Sequence, residues 1–588
     1  MIDPYRMIVI NLISSLILAC GFIVYKYIYP KKNINLFYAL ILISLLPIIS
    51  ILRKGTYESG AFSDYVKFST SFYQTLLDGN FIPSWDAFRC GLYGCPIFLF
   101  MYIFPYYVVS LFHFVGFSFI ASIKLLLIAG YILSGITMYY WIKTQYGKKA
   151  GFVASIFYLF APFHLIDLHF RADIAHVLTF VFIPLNFLLV KKIIEQPTLK
   201  WIIFQAIVLV FLTTSHQAIA VWSFIFITCY GFLLWSISSK KKFRVIIYFI
   251  LSLILGLLLS AFYWLPILVE AKYIFWGIHA DIAFEKINLF FYSPWRMGFL
   301  FQGPHGELSF VIGYVHLLIF FLSLVLVIKR KIQKKIKYIS YFFIFSSLFT
   351  FFMTQEISKF VWEMTPLIKN FQFSYRLLVF IAFFLATIAG IYSKYISNKK
   401  IIIICILVIF STILNWGHRK IIPEINDHDL QSELFQGRTP TAIVIMPNWV
   451  DSKDFLRFES YPVKEPVNIL EGEAKTLQIF RNTTKHEYII HALSNVVVKE
   501  NTLYFPGWTL YINNKPHPIN YTNKEFPGII TFNLNKGLYK VELMFKDTPV
   551  RTFSLMVSFI SWIIVAATIL ILSLRKMFRK TIAFKSIS

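Results

Sequence analysis

Long apolar runs separated by short basic stretches fill most of this chain. Runs of about 20 apolar residues, the length a helix needs to cross a hydrocarbon core, lie at 7–29, 34–52, 118–141, 150–166, 175–191, 200–216, 218–237, 244–266, 310–328, 338–354, 371–392, 400–416 and 555–574. From about 417 to 554 the pattern changes to alternation with period two, which predicts strands. Leu503, Phe505, Trp508, Leu510 and Ile512 alternate across a break at Pro506-Gly507. Asn513-Asn514 marks a turn, and Asn535-Lys536-Gly537 predicts a hairpin joining GIITFNL to LYKVELMF. The expected architecture is a polytopic α-helical membrane protein of about 13 transmembrane helices. Its parts are a membrane module over 1–416, an all-β, sandwich-like domain over 417–554, and a last helix with a basic tail over 555–588.

Composition agrees and narrows the class. Of 588 residues, 58% are hydrophobic and only 14% charged, and the mean hydropathy is +0.67. A soluble multidomain protein carries about 25% charged residues, and a disordered chain would lack the 64 Phe and 34 Tyr found here. The net charge of +27 needs no nucleic-acid partner, because Lys and Arg collect in cytoplasmic loops of membrane proteins. One set of loops holds Lys31 and Lys32, Lys148 and Lys149, Lys191 and Lys192, Lys240 to Arg244, Lys329 to Lys337, Lys399 and Lys400, and the tail from Arg575. All face one side only if 97–117 does not cross, so that run is expected to be re-entrant or interfacial. The N-terminus is then outside and the C-terminus cytoplasmic, in a multi-pass protein of the cell membrane. The first run is too long for a cleavable signal peptide and lacks a small-residue cleavage site. Long loops at 53–117, 267–309 and 417–554 lie outside, which points to work done there.

Ionisable residues at outer helix ends are costly and therefore functional candidates. Asp64, with Glu58 as a neighbour, lies soon after the second run and can serve as a general base, or be an ordinary solvated acid. Asp78, Asp86 and Arg89 follow in DGNFIPSWDAFRCG. The densest group is Asp167, His169, Arg171, Asp173 and His176 in FHLIDLHFRADIAHV. On one helix His169, Asp173 and His176 would share a face able to bind a divalent cation or a phosphate counter-charge. The competing reading is a polar loop with Asp–Arg pairing. His216 is a candidate or a helix cap; Glu270 is a candidate or a partner for Lys272; Arg376 is an interfacial anchor or a ligand for a lipid phosphate. The loop 267–309, with His279, Asp281, Glu285, Lys286, Arg296, His305 and Glu307, has the composition of a substrate-binding loop. Cys90 and Cys95 in CGLYGC are disulfide candidates in an outer loop, and Asn482 and Asn520 begin glycosylation sequons. No P-loop, Rossmann or Ser-His-Asp pattern is present, which argues for no nucleotide cofactor and for a lipid-borne substrate. A divalent cation is left open.

Several stretches in order complete the picture: NFIPSWDAFRCGLYGCPIFLF, LIDLHFRADIAHVLTFVFIPL, TTSHQ, AFYWLPILVE, FQFSYRLL and YFPGWTLYINNK. Together they resemble the membrane proteins described as 6-pyruvoyl-tetrahydropterin synthase-related, which are similar to C-type glycosyltransferases. The resemblance covers most of the chain and implies a transferase that takes a sugar from a polyprenyl-phosphate donor outside the membrane. It places the catalytic base at Asp64 and interfacial helices over 70–117. The relatives' Arg-Gly-x-x-x-Glu-like stretch falls on Arg171 to His176, with Ala172 for Gly and His176 for Glu. Arg376 matches their Pro-x-Arg-like entry to a late helix, with Ser374 where Pro is common. The expected partners are the lipid-linked sugar, a glycan, lipid or protein acceptor, and membrane lipids. Rival readings are a flippase or transporter of lipid-linked glycans and a non-catalytic cell-envelope assembly protein. Transporters tend to carry internal repeats with groups at the bilayer midplane, and neither is evident.

Overall fold

A computed structural model of the chain describes residues 6–238, 243–275, 282–293, 307–329, 332–364, 371–417, 421–437, 445–450 and 463–585. Two compact units divide it: Met1–Leu185 with Lys272–Lys546, and Asn186–Ala271 with Asp547–Ser588. Among the described residues seven helices are long and apolar enough to cross a membrane: Arg6–Ile28, Phe119–Tyr146, Ile174–Glu195, Gln217–Ser236, Lys334–Met353, Ser374–Tyr395 and Pro549–Arg575. Two bent pairs, Lys148–Leu159 with Pro162–Arg171 and Phe243–Leu259 with Ala261–Tyr273, bring the number to nine. Leu36–Ser50, Leu199–Ser215 and Tyr314–Lys329 are shorter, and Asn398–Phe410 has 13 residues. Each of the thirteen expected runs is thus helical, but the helices that meet the length criterion number nine at most. The four that fall short are the helices over 36–50, 199–215, 314–329 and 398–410.

The stretch 97–117 folds as Ile97–Phe100 and Phe104–Phe114, parted by a break at 101–103. Eleven residues rise only about 16 Å, half of a hydrocarbon core of about 30 Å. Neither piece can cross it. The helices 119–146 and 148–159 turn on Gly147, whose φ of +91° suits glycine. They pack closely because Gly151 faces the Tyr139 carbonyl, which a Cβ would approach to 2.7 Å.

Two short strand pairs tie distant loops together within the first unit. Strand β1 (Thr56–Tyr57) and strand β2 (Ile274–Phe275) pair with β3 (Ile421–Ile422) and β4 (Met446–Pro447) respectively. The remaining strands form the β domain: β5 (Val467–Glu471), β6 (Ala474–Arg481), β7 (Lys485–Ala492), β8 (Val496–Leu503), β9 (Trp508–Ile512), β10 (Lys515–His517), β11 (Ile529–Leu534) and β12 (Gly537–Phe545). They make a five-stranded sheet in the order β10-β9-β12-β7-β6 and a three-stranded sheet β11-β8-β5. Asn513 and Asn514 take φ of +50° and +64° between β9 and β10, the left-handed pair of a two-residue hairpin. The hairpin expected at Asn535-Lys536-Gly537 does not form: β11 and β12 belong to different sheets, and the chain crosses between them there. A turn signal fixes the bend but not which strand each arm will pair with.

The loop 53–117 carries this domain. Thr483 donates from its backbone N and its hydroxyl to Asp78 Oδ2, at 2.9 and 2.8 Å. The Trp85 ring is buried 5.6 Å from Trp508 and 5.2 Å from Phe545. Cys90 and Cys95 are joined in a disulfide with Cα atoms 6.2 Å apart, closing a loop in which Gly91 and Gly94 take positive φ.

In the second unit, Gly256 lets the helix 243–259 approach Leu209 and Ala206 of 199–215. Ile203, Ala206, Val210, Leu259 and Val565 form its apolar core. Glu270, at the end of helix 261–270, accepts from Arg551 at 2.6 and 3.0 Å and from the Thr548 hydroxyl at 2.5 Å. Arg551 therefore takes the pairing expected of Lys272 and fastens the start of the last helix.

Candidate functional site

The site begins where the chain between two membrane helices loses its regular turn. Pro162 opens a short helix, which widens into a π-turn over Ile166–Arg171. Ala172 then adopts φ +52°, ψ 40°, a left-handed conformation that costs an alanine about 1–2 kcal/mol. Asp173 follows as the cap of helix 174–195, its Oδ1 accepting from Ala175 N at 3.1 Å and His176 N at 3.0 Å. This break overturns the reading of His169, Asp173 and His176 as one helical face. They lie on two helical segments, and the left-handed residue rotates one against the other.

The break gathers a different set. Arg171 reaches back to Asp167 Oδ1 at 2.5 Å and forward to Asp173 Oδ2 at 2.7 Å. His176 Nδ1 lies 3.1 Å from Asp167 Oδ2 and 3.3 Å from Arg171 Nη1. Asp167, Asp173 and His176 are all buried and offer ligand atoms within 4.8 Å of one another; His169 is not one of the three. The arginine fork thus spends both its amino groups on carboxylates, and its face lies 5.6 Å from the Tyr375 ring.

Two more segments meet this turn. Tyr57 donates its hydroxyl to Leu168 O at 3.2 Å, and Gly60 N donates to Phe170 O at 2.8 Å. The Arg171 backbone lies in ordinary van der Waals reach of position 60, 3.8 Å from where a Cβ would stand. Four residues on, Asp64 sits in the first turn of helix Phe62–Leu77, its side chain 46% exposed and 3.8 Å from the buried Arg89. Arg89 lies 3.9 Å over Phe68, beside Asp86, whose carboxyl is pushed up by burial and held back by Arg89 and Ser71. From the same helix the Tyr65 hydroxyl touches that of Tyr102 at 2.9 Å. Burial raises the Tyr102 phenol; Asp173 adds to the rise, while Arg376 and Arg171 oppose it. That hydroxyl therefore stands in the field of all three charged groups.

Arg376 is held by the third segment. Gln372 takes φ +71°, and Arg376 donates to Gln372 Oε1 at 2.7 Å and to Phe371 O at 3.0 Å. Both acceptors are neutral, and among the described residues no carboxylate pairs with this guanidinium. Ser374 donates to Thr354 O at 3.0 Å and from its backbone N to Ala283 O at 3.0 Å, which brings the loop 267–309 to this turn. Glu285 of that loop has its carboxyl raised by burial; His279, Asp281, Arg296 and His305 fall outside the described residues.

His216 and Glu270 belong to the second unit. His216 caps helix 217–236, accepting from Ile219 N at 3.4 Å, and Glu270 is engaged by Arg551 as described above. Tyr65 and Tyr102 are absent from the sequence reading, while Asp167 and Arg89 are named there among the candidates without a role of their own. Arg89 had a signal, an arginine fixed between an aspartate and a cysteine, but nothing that indicated its burial.

Residues 100–422 match the family described as 6-pyruvoyl-tetrahydropterin synthase related domain, a membrane protein family. The chain belongs to that family. The match spans the turn 166–176, helix 174–195 and the Arg376 turn, and thus most of the site of this 6-pyruvoyl-tetrahydropterin synthase-related protein. No curated protein matches it. Among solved structures it is similar to the arabinofuranosyltransferase AftD from mycobacteria, at 12% identity and TM-score 0.43, over 66% of this chain and 28% of that one. It is also similar to the oligosaccharyltransferase of Archaeoglobus fulgidus, at 10% identity and TM-score 0.36, over 72% of this chain and 58% of that one. The chain thus spans less than two thirds of the length of either protein.

Proposed function

We propose that this membrane protein is an inverting glycosyltransferase that moves a sugar from a polyprenyl-phosphate donor to an acceptor on the outer face. The supporting observation is that loop 57–65, which carries Asp64, is hydrogen-bonded onto the Arg171 turn, with Tyr102 in the field of Asp173, Arg171 and Arg376. Asp64, half exposed, takes the proton of the acceptor hydroxyl. The acceptor oxygen bonds to the anomeric carbon as the sugar–phosphate bond breaks, and the phosphate leaves with the electron pair. Arg376, whose partners are neutral, is the better phosphate ligand, because Arg171 is already committed to two carboxylates. Stabilising the charge that develops on the leaving phosphate supplies much of the rate. The β domain, mounted on the first loop, holds the acceptor. The test is transfer from polyprenyl-phosphate sugars in liposomes: a lipid-linked glycan that crosses the bilayer with no sugar transferred would establish a transporter instead.

Arg376→Gln should raise the apparent donor KM by about 10–100-fold, since a hydrogen bond to a charged group is worth roughly 1.5–3 kcal/mol, with a smaller effect on saturated turnover. Steady-state kinetics against donor concentration check this, and an unchanged KM removes Arg376 from the donor site.

Orientation is proposed from the basic loops, N-terminus outside and C-terminus cytoplasmic. A cysteine placed at Asn514 should react with an impermeant maleimide in intact cells, and one at Gln333 only after permeabilisation. Labelling of Gln333→Cys from outside would reverse the topology.

A further inference from the structure

Asp167, Asp173 and His176 have the composition and spacing of a divalent-cation site, with all ligand atoms within 4.8 Å. Two carboxylates and an imidazole at that range suit Mn²⁺ or Zn²⁺. The Arg171 guanidinium nevertheless stands among them, 2.5 Å from one carboxylate and 2.7 Å from the other, and 3.3 Å from the imidazole. A metal ion and this guanidinium would compete for the same two carboxylates. We infer that Arg171 is the resident cation of this cluster, doing the charge-neutralising work of a bound metal, so that the native protein holds no divalent ion there and a latent metal site lies beneath the arginine.

Two physical arguments carry this. The first is cost: Mg²⁺ and similar ions must shed tightly held water to enter an all-protein cage, whereas Arg171 is delivered by the chain itself. The π-turn returns its side chain to Asp167, four residues back, and left-handed Ala172 brings Asp173 round to its other amino group. The second is charge. Asp167 and Asp173 are buried, and two neighbouring buried carboxylates cannot both stay ionised without a cation between them. Arg171 supplies one positive charge in contact, and Arg376 a second within electrostatic reach of Asp173. An added dication would leave an excess of positive charge unless the arginine withdrew.

The inference concerns the metal content of the site and holds or fails independently of the transferase reading, because its test needs no donor sugar. Purified full-length protein, Arg171→Ala, and Arg171→Ala combined with Asp167→Asn are titrated with MnCl₂ and with ZnCl₂. Melting temperature and Mn²⁺ electron paramagnetic resonance are the readouts. The native protein should show no saturable shift and no stoichiometric bound Mn²⁺. Arg171→Ala should melt lower without metal, then gain about 2–4 °C at saturating metal and bind close to one ion; the double variant should lose that gain. A native protein that already binds one ion dependent on Asp167 overturns the inference, as does an Arg171→Ala protein that folds and binds none. Should Arg171→Ala fail to fold, Arg171→Gln, which keeps bulk and polarity, takes its place, and the metal content of the native protein decides the claim on its own.

Discussion

Asp64→Asn should lower sugar transfer by about 10²–10⁴-fold, the usual worth of general-base catalysis, while leaving the fold intact. Asparagine keeps the size and most of the hydrogen bonding of the side chain and removes only its capacity to take a proton. The structural cost should be small for two reasons. The side chain is 46% exposed, and its charged neighbour Arg89 stands at 3.8 Å, so the ion pair itself is worth no more than about 1 kcal/mol. Arg89 also keeps its place over Phe68 and beside Asp86. The expected pattern is therefore a large fall in turnover with little change in donor KM and a melting point near that of the native protein. Arg376→Gln, acting mainly on KM, is the contrasting variant. A native transfer rate in Asp64→Asn would remove it from the reaction, and Glu58 would be the next carboxylate to test in the same loop.

The helices were legible because a span is written in composition: about 20 apolar residues can hardly be anything else. Their interruptions were less so. Pro162 is visible, but Ala172 is a good helix former, and nothing in RADIAH announces a left-handed residue. The face drawn through His169, Asp173 and His176 assumed an unbroken helix for that reason. Among the described non-glycine residues with positive φ, Ala172 and Gln372 lie in the turns that present Arg171 and Arg376, so backbone strain marks the site where side-chain spacing did not. Asp64, the 167–176 turn and Arg376 were each conspicuous singly, as charges at the ends of apolar runs. Their meeting was not legible, since it rests on backbone bonds such as Gly60 to Phe170 and on a tyrosine, Tyr102, that reads as one aromatic among many. In the β domain the alternation gave strands, but Asn535-Lys536-Gly537 could not say that its two arms enter different sheets.

The β domain carries the other large expected effect. Glu500 of β8 is fully buried and accepts from Arg481 at 2.5 Å, His486 at 2.9 Å and the Tyr488 hydroxyl at 3.0 Å. Burial alone would raise its carboxyl; Arg481 first and then His486 outweigh that and hold it at about 2, against an ordinary value of 4.5. A carboxyl depressed on folding stabilises the native state above its unfolded value, and that stabilisation is lost as pH falls through the interval from 4.5 to about 2. About 3 kcal/mol is at stake, at 1.36 kcal/mol per unit. His486 acts in the same sense: burial lowers its pKa, so acid favours the unfolded chain, where the imidazole is free to take a proton. Glu500→Gln should therefore cost the domain about 3 kcal/mol at neutral pH, because it strands the Arg481 charge among β6, β7 and β8. It should also flatten the loss of stability below pH 4.5 expected of the native protein. Hydrogen exchange of the amides in 485–503, followed by mass spectrometry on the full-length protein from pH 7 down to about 2, reads both effects. Equal protection in the native protein and Glu500→Gln at neutral pH would mean that the ion pair contributes nothing net. In that case the β domain would be held by its apolar faces and by Trp508, which packs against Trp85 of the first loop.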